Sequence, residues 1–295
     1  MMNEFRHFHP IVNFLYFAAV ITFSMLLMHP ICLAVSLACG FAYKTVQSGS
    51  RGLRFCAAQL LIVAAAALFN PLFSHEGSTV LAYFPSGNPL TAESVIYGIA
   101  AGTMLASVIC WFSCFNNVMT SDKLLYLFGR LIPSLSLVLS MVLRFVPKFK
   151  EHLREAAAAR KCIGRGTGSG GLLMRARHGV TILSGMMTWA LENSIETADS
   201  MKSRGYGLSG RSTFSIFKAD RRDLAAALFT VALSVYILAE YVTGGIFFAY
   251  FPTVGGAPLS LHTAGTFCTY FVLCAMPVIF ELWEDRKWKS LKQKI

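Results

Sequence analysis

Few residues in this chain have the types and spacing that chemistry needs, and those few sit in the wrong surroundings. Gly166, Gly168 and Gly171 fit the G-x-G-x-x-G pattern of a dinucleotide loop. That loop joins a strand to a helix beneath a pyrophosphate, whereas here a helix-forming run precedes it. As a phosphate-cradling P-loop the same stretch fails, because Leu172 stands where Lys is required. Gly207-Leu208-Ser209-Gly210 has a glycine-flanked serine, but it lies in a polar, arginine-flanked stretch and not inside an apolar span. His7 and His9 offer two imidazoles, and Cys110 and Cys114 two thiols on one helix face. Either pair falls short of the donor set of a protein metal site. Glu240 stands ~24 Å along a helix from Leu224, near a membrane edge. The sequence therefore points to no catalytic, metal or cofactor site of the chain's own.

What remains is a pair of basic helix ends, Ala159-Arg160-Lys161 and Ser203-Arg204-Gly205-Tyr206. The last four carbonyls of a helix lack intrahelical partners and carry partial negative charge. An arginine there is held favourably and still projects a planar fork of five donors. A glycine just past the end turns the chain through positive φ without a Cβ clash. Lys161 stands where such a glycine would serve the first end. That helix is therefore expected to run about a turn past Arg160, to Cys162–Ile163, with Gly164 as its stop. Arg165, between Gly164 and Gly166, is a further basic residue just past that stop.

The elements that carry these ends follow from composition. The 295 residues are 55% apolar and only 14% charged, with a mean hydropathy of +0.56. A globular average is about 25% charged, so neither a soluble fold nor a disordered chain fits. The charge-free runs are 7–43, broken by His29-Pro30, then 55–75, 94–121 and 224–239, and after the single acid Glu240 a run to Glu281. They give six expected spans near 11–28, 31–46, 55–75, 94–121, 224–242 and 262–282, of which the first two are the shortest.

The 26 Lys and Arg residues all avoid His29-Pro30, 74–93 and 243–261. By the positive-inside rule both termini and the region 123–222 are expected on the cytoplasmic side of a membrane. The net charge of +11 is then a topology signal; no nucleic-acid motif accompanies it. The N-terminus lacks the cleavage pattern of a signal peptide. The eight cysteines fall mostly inside apolar runs and read as packing residues.

The expected organisation is all-α and polytopic: membrane helices 1–4 in 1–118, a helical cytoplasmic region in 119–223, membrane helices 5–6 in 224–285 and a basic tail in 286–295. In the cytoplasmic region, 131–143 is too short to span, and Pro147 is expected to end or kink its helix. Residues 148–162, rich in Ala, Glu and Arg, form a second helix, and 172–204 a long third. Met187, Leu191, Ser194/Ile195, Ala198 and Met201 give that third helix an apolar stripe available for docking.

Two motifs carry a resemblance. The first is Leu139-Ser-Met-Val-Leu-Arg-Phe-Val-Pro147 with Glu151 and Ala156-Ala-Ala-Ala-Arg160; the second is Ala198-Asp-Ser-Met-Lys-Ser-Arg-Gly-Tyr206. The chain resembles the transmembrane T component of energy-coupling factor transporters, the family that includes the permease of cobalt importers. The resemblance implies a non-catalytic subunit of an ATP-driven importer of vitamins or metal ions. It implies contact of Ala159, Arg160, Lys161, Ser203, Arg204, Gly205 and Tyr206 with two ABC-type ATPase subunits, with Arg165 a rival to Arg160 for the first contact. It also implies a membrane-embedded S component that binds the substrate, and ATP bound by the ATPases alone. The residues by themselves also leave room for a multispan membrane enzyme or a stand-alone secondary transporter. The latter class usually shows inverted repeats, which this sequence does not display.

Overall fold

The computed structural model describes residues 4–83, 89–164, 171–206, 208, 217, 220–256 and 260–292. Among these the helices are α1 (Pro10–Leu26), α2 (Pro30–Ser48), α3 (Ser50–Phe73), α4 (Ala92–Val118), α5 (Ser121–Leu131), α6 (Pro133–Cys162), α7 (Leu172–Ser203), α8 (Arg221–Val242) and α9 (Leu261–Lys292). A 3₁₀ turn, Glu4–His7, precedes them. The chain divides into two units, one of Met1–Leu124 with Phe217–Ile295 and one of Leu125–Ile216.

All six expected spans form as helices. Five of them, α2, α3, α4, α8 and α9, are long and apolar enough to cross a membrane. The sixth, α1, has 17 residues and reaches ~26 Å, short of a hydrocarbon core of about 30 Å. His9-Pro10 and His29-Pro30 set the starts of α1 and α2. In each, proline takes the first helical position, and the preceding His Nδ1 accepts the next N–H at 3.3 Å.

In the first unit α2 packs against α3, α4 and α9, and α4 also packs against α1 and α3. Aromatic rings fill the centre: Phe5 meets Tyr16 edge-on at 5.2 Å, and Tyr43 stacks on Trp111 at 6.4 Å. A polar thread runs through the same core. Trp111 Nε1 donates to Ser36 Oγ at 3.0 Å, Ser36 Oγ pairs with Ser24 Oγ at 2.7 Å, and Ser24 pairs with the Tyr270 hydroxyl at 3.2 Å. Without water nearby, each polar group needs such a partner, so the thread fixes how α1, α2, α4 and α9 meet.

The α3–α4 contact is made close by small residues. A Cβ placed on Gly98 would lie 2.9 Å from the Ala66 carbonyl oxygen, and one on Gly102 would lie 2.8 Å from Ala66 Cβ and 3.0 Å from Val63 Cα. The glycines are four apart, on one face of α4. The opposite side of α3 is left bare: Leu61 and Leu68 are exposed, as lipid contact would have it.

Four details add to the sequence expectation or depart from it. The loop 74–93 contains a short antiparallel ladder, β1 (Val80–Tyr83) with β2 (Pro89–Thr91). The loop 243–261 contains another, β3 (Phe248–Ala249) with β4 (Gly255–Gly256). The basic tail from 286 is helical to Lys292, as the end of α9. Pro147 neither ends a helix nor separates two: α6 runs unbroken from Pro133 through it. Proline removes one i→i−4 bond, and the strong helix formers that follow carry the helix onward. The break falls earlier, at Ile132, because a residue before proline is pushed out of the α region; its φ is −137°.

The second unit is built on α6 and α7 packed together. Trp189 of α7 sits between two α6 rings, edge-on to Phe149 at 5.4 Å and stacked on His152 at 4.3 Å. Both helices keep a second apolar face exposed. On α7 it is Val180, Leu183, Met187, Leu191 and Ile195; on α6 it is Val138, Val142 and Val146. The i, i+3/i+4 spacing places each set on one side of its helix. The expected α7 stripe is thus present and uncovered at Met187, Leu191, Ile195 and Ala198.

Candidate functional site

The two basic motifs lie at the C-terminal ends of α6 and α7. α7 ends at Ser203 with Arg204 as its cap, and Gly205 follows at φ +82°. The Gly205 N–H donates to the Lys202 carbonyl at 3.0 Å, and the Tyr206 N–H donates to the Met201 carbonyl at 3.0 Å. These two bonds define a Schellman stop, which a glycine with positive φ permits. Lys202, Ser203, Arg204 and Tyr206 are exposed around it.

α6 also stops at a glycine, its last helical position one residue past Lys161. Its last residue is Cys162, Ile163 caps it, and Gly164 follows at φ +72°. The Gly164 N–H donates to the Lys161 carbonyl at 3.1 Å. The helix therefore passes through Lys161 and stops at the glycine, as its sequence requires. Ala159, Lys161 and Ile163 are exposed, and Arg160 is half-buried. Arg165 and the Gly166–Gly171 pattern up to residue 170 lie outside the described residues, as do Gly207, Ser209 and Gly210.

The two ends can be aligned by their hydrogen bonds rather than by their letters. Lys161 then matches Lys202, and Ile163 matches Arg204. Arg160 matches Met201, a turn earlier than Arg204. So the two arginines stand at different heights on otherwise equivalent helix ends.

The remaining chemistry-bearing residues have structural places. His9 caps α1. Glu240 is two residues from the end of α8, and its carbonyl accepts the Gly245 N–H at 3.1 Å. Among the described residues no group of three or more His, Cys, Asp or Glu side chains could hold a metal.

Sequence reading missed a polar cluster under the N-terminal turn. Lys123 Nζ donates to the carbonyls of Arg6 and Phe8, the latter at 3.4 Å. Burial, with repulsion from Arg6, lowers the Lys123 ammonium to about 8, and Asp223 partly opposes this. One oxygen of Asp223 accepts the His9 N–H at 3.2 Å, and the other accepts the Asp220 N–H at 3.1 Å as part of the capping box of α8. Asp220-x-x-Asp223 announces the cap; nothing in the sequence announces His9 or Arg6 as partners.

Comparison with known proteins decides the family. Residues 4–216 match the sequence profile of CbiQ, cobalt transport protein. The chain belongs to that family. It is a multi-pass membrane protein of a transport family, and its matched region includes both helix ends. This CbiQ-family chain is 26% identical over 207 residues to the energy-coupling factor transporter transmembrane protein EcfT of Bacillus selenitireducens, covering 66% of the chain and 75% of that protein. It is 30% identical over 112 residues to the protein of the same name from Lactobacillus helveticus, covering 38% of the chain and 40% of that relative. The second match thus spans well under two thirds of the relative's length. The resemblance read from the two motifs and the family match agree.

Proposed function

We propose that the chain is the transmembrane coupling subunit of an energy-coupling factor importer, with α6 and α7 as its coupling helices. The observation that carries this reading is the matched pair of glycine-stopped, basic, exposed ends on two packed helices of 30 and 32 residues. Each tip offers a cleft on a partner a rigid projection with cationic donors. Two like tips suit two ATPase subunits. Ala159, Arg160 and Lys161 serve the first, and Ser203, Arg204, Gly205 and Tyr206 the second.

The exposed apolar faces of α6 and α7 suit a second kind of partner, a membrane-embedded S component carrying a vitamin or metal ion. Motion imposed at the tips would pass along rigid helices to those faces. ATP belongs to the ATPases, and this chain performs no chemistry. The one-sided basic residues support a cytoplasmic location for both termini and the helix tips. The test is co-expression with an ABC ATPase pair and an S component. A tag on this chain should retain both, and vesicles should show ATP-dependent uptake. Isolation of the chain without either partner would refute the reading.

A further inference from the structure

A cationic recess at one end of the membrane unit has no role in this scheme. It has a volume of about 750 Å³ and lies where α2 turns into α3. Arg6, Lys44 and Arg51 line it, with Gln47, Asn117 and Gly49, and among the described residues no carboxylate lines it.

Lys44 is the unusual member. It is 7% exposed, its ammonium donates to Ser113 Oγ at 2.7 Å, and it lies 5.2 Å from the centre of the Phe55 ring. A hydroxyl and a ring face are thin compensation for a buried charge, which normally finds a counter-ion. Gln47 Oε1 accepts from Asn117 Nδ2 at 3.0 Å. α3 starts at Ser50 with Gly49 as its cap, without a capping side chain and without an acid in its first turn. Its first N–H groups add partial positive charge on the same side. Arg6 is held beside the recess by the Lys123 bond to its carbonyl. Three cations and an open helix start favour one kind of ligand, an anion.

We infer that this recess binds a phosphate group, supplied by the headgroup of an anionic lipid. A soluble phosphate would meet the same donors, but the surroundings favour the lipid. Exposed Leu53 follows Arg51 by two residues, and the bare face of α3 continues through Leu60, Leu61 and Leu68. That face gives acyl chains a track leading away from the headgroup. Basic pockets between membrane helices bind such headgroups on general electrostatic grounds.

The experiment is native mass spectrometry of the full chain released from vesicles containing phosphatidylglycerol and phosphatidylcholine. A parallel arm measures thermal stability in detergent with added inorganic phosphate. The variants are Arg6→Gln/Arg51→Gln, which leaves buried Lys44 in place, and Arg54→Gln, an exposed cation outside the recess. The wild-type chain and Arg54→Gln should retain phosphatidylglycerol selectively. The double variant should lose that retention by roughly thirtyfold, since each basic residue near an anionic surface adds about a fivefold preference. Stabilisation by inorganic phosphate that disappears in the double variant, without lipid selectivity, would keep the phosphate site but overturn the lipid source. Lipid retention and phosphate response both unchanged in the double variant would overturn the site.

Discussion

The carbonyls of Lys161 and Lys202 hold the same position at two helix ends, each accepting the N–H of a glycine three residues on, at 3.1 and 3.0 Å. That correspondence fixes the frame for everything exposed around them. In it Arg204 sits at the tip of α7, whereas Arg160 projects from the last turn of α6, with Lys161 and Ile163 beyond it. The two ends share that glycine stop and differ in what they present. Two ATPase subunits meeting them would form different sets of contacts.

The stops themselves can be tested. A β-branched residue resists positive φ, so Gly205→Val should shift or fray the end of α7 at a cost of ~1–2 kcal/mol. Its Cβ would also approach Leu208 Cδ1 at 3.1 Å, a flexible neighbour that can move. Gly164→Ala meets nothing within 4 Å and carries the backbone strain alone. Both variants should weaken ATPase retention, Gly205→Val more strongly, while the thermal midpoint of the chain alone falls by no more than a few degrees. Full retention in Gly205→Val would separate the stop from docking.

The close contact of α3 and α4 should be intolerant of bulk. Gly98→Leu and Gly102→Leu force a side chain against the α3 backbone, and overpacking of this kind costs about 1–3 kcal/mol or more. Each should lower the thermal midpoint in detergent, and together they should prevent purification of a folded chain. Gly171→Leu, where a Cβ meets nothing within 4 Å, serves as the control. Equal midpoints for Gly102→Leu and Gly171→Leu would show that the helices do not approach as described.

Lys123 should leave a signature in alkaline solution. Its folded value of about 8 lies below the ordinary 10.5. Between those limits the unfolded chain holds a proton that the folded chain has lost. Stability contributed by this group therefore rises with pH across that window. The thermal midpoint of the wild-type chain, taken relative to Lys123→Met, should climb between pH 8 and pH 10.5. A difference that stays flat or falls would contradict the buried placement of the ammonium.

Much of this arrangement is legible in the sequence because its signals are local. Gly171 and Gly205 bracket α7, so its expected range, 172–204, differs from the observed Leu172–Ser203 by one residue. Gly164 stops α6 for the same reason. The charge-free runs locate the spans because a membrane demands about twenty apolar residues together. Pro147 misleads because its local cost is outweighed by the helix on both sides. The Lys123–Arg6 and His9–Asp223 bonds join residues more than a hundred apart, and no spacing rule reaches that far. The recess at Lys44 is hidden likewise, since its cations come from three separate segments.

Orientation has its own test. Cysteine introduced at Gly255 should react with a membrane-impermeant maleimide in intact cells, and cysteine at Gly171 only after permeabilisation. Labelling at position 171 from outside would invert the topology and remove the helix tips from the reach of ATPases.

The most direct test of the coupling role is the Arg160→Ala/Arg204→Ala double variant in the assembled complex, with Arg204→Lys beside it. Interface arginines of this kind are each often worth ~2 kcal/mol or more, and an ammonium cannot reproduce the planar fork. The double variant should lose most of its ATPase subunits on purification and should fail in ATP-dependent uptake, while its thermal midpoint stays that of the wild-type chain. Arg204→Lys should recover both properties only in part. Full ATPase retention with normal uptake in the double variant would contradict the account and reduce these arginines to markers of topology.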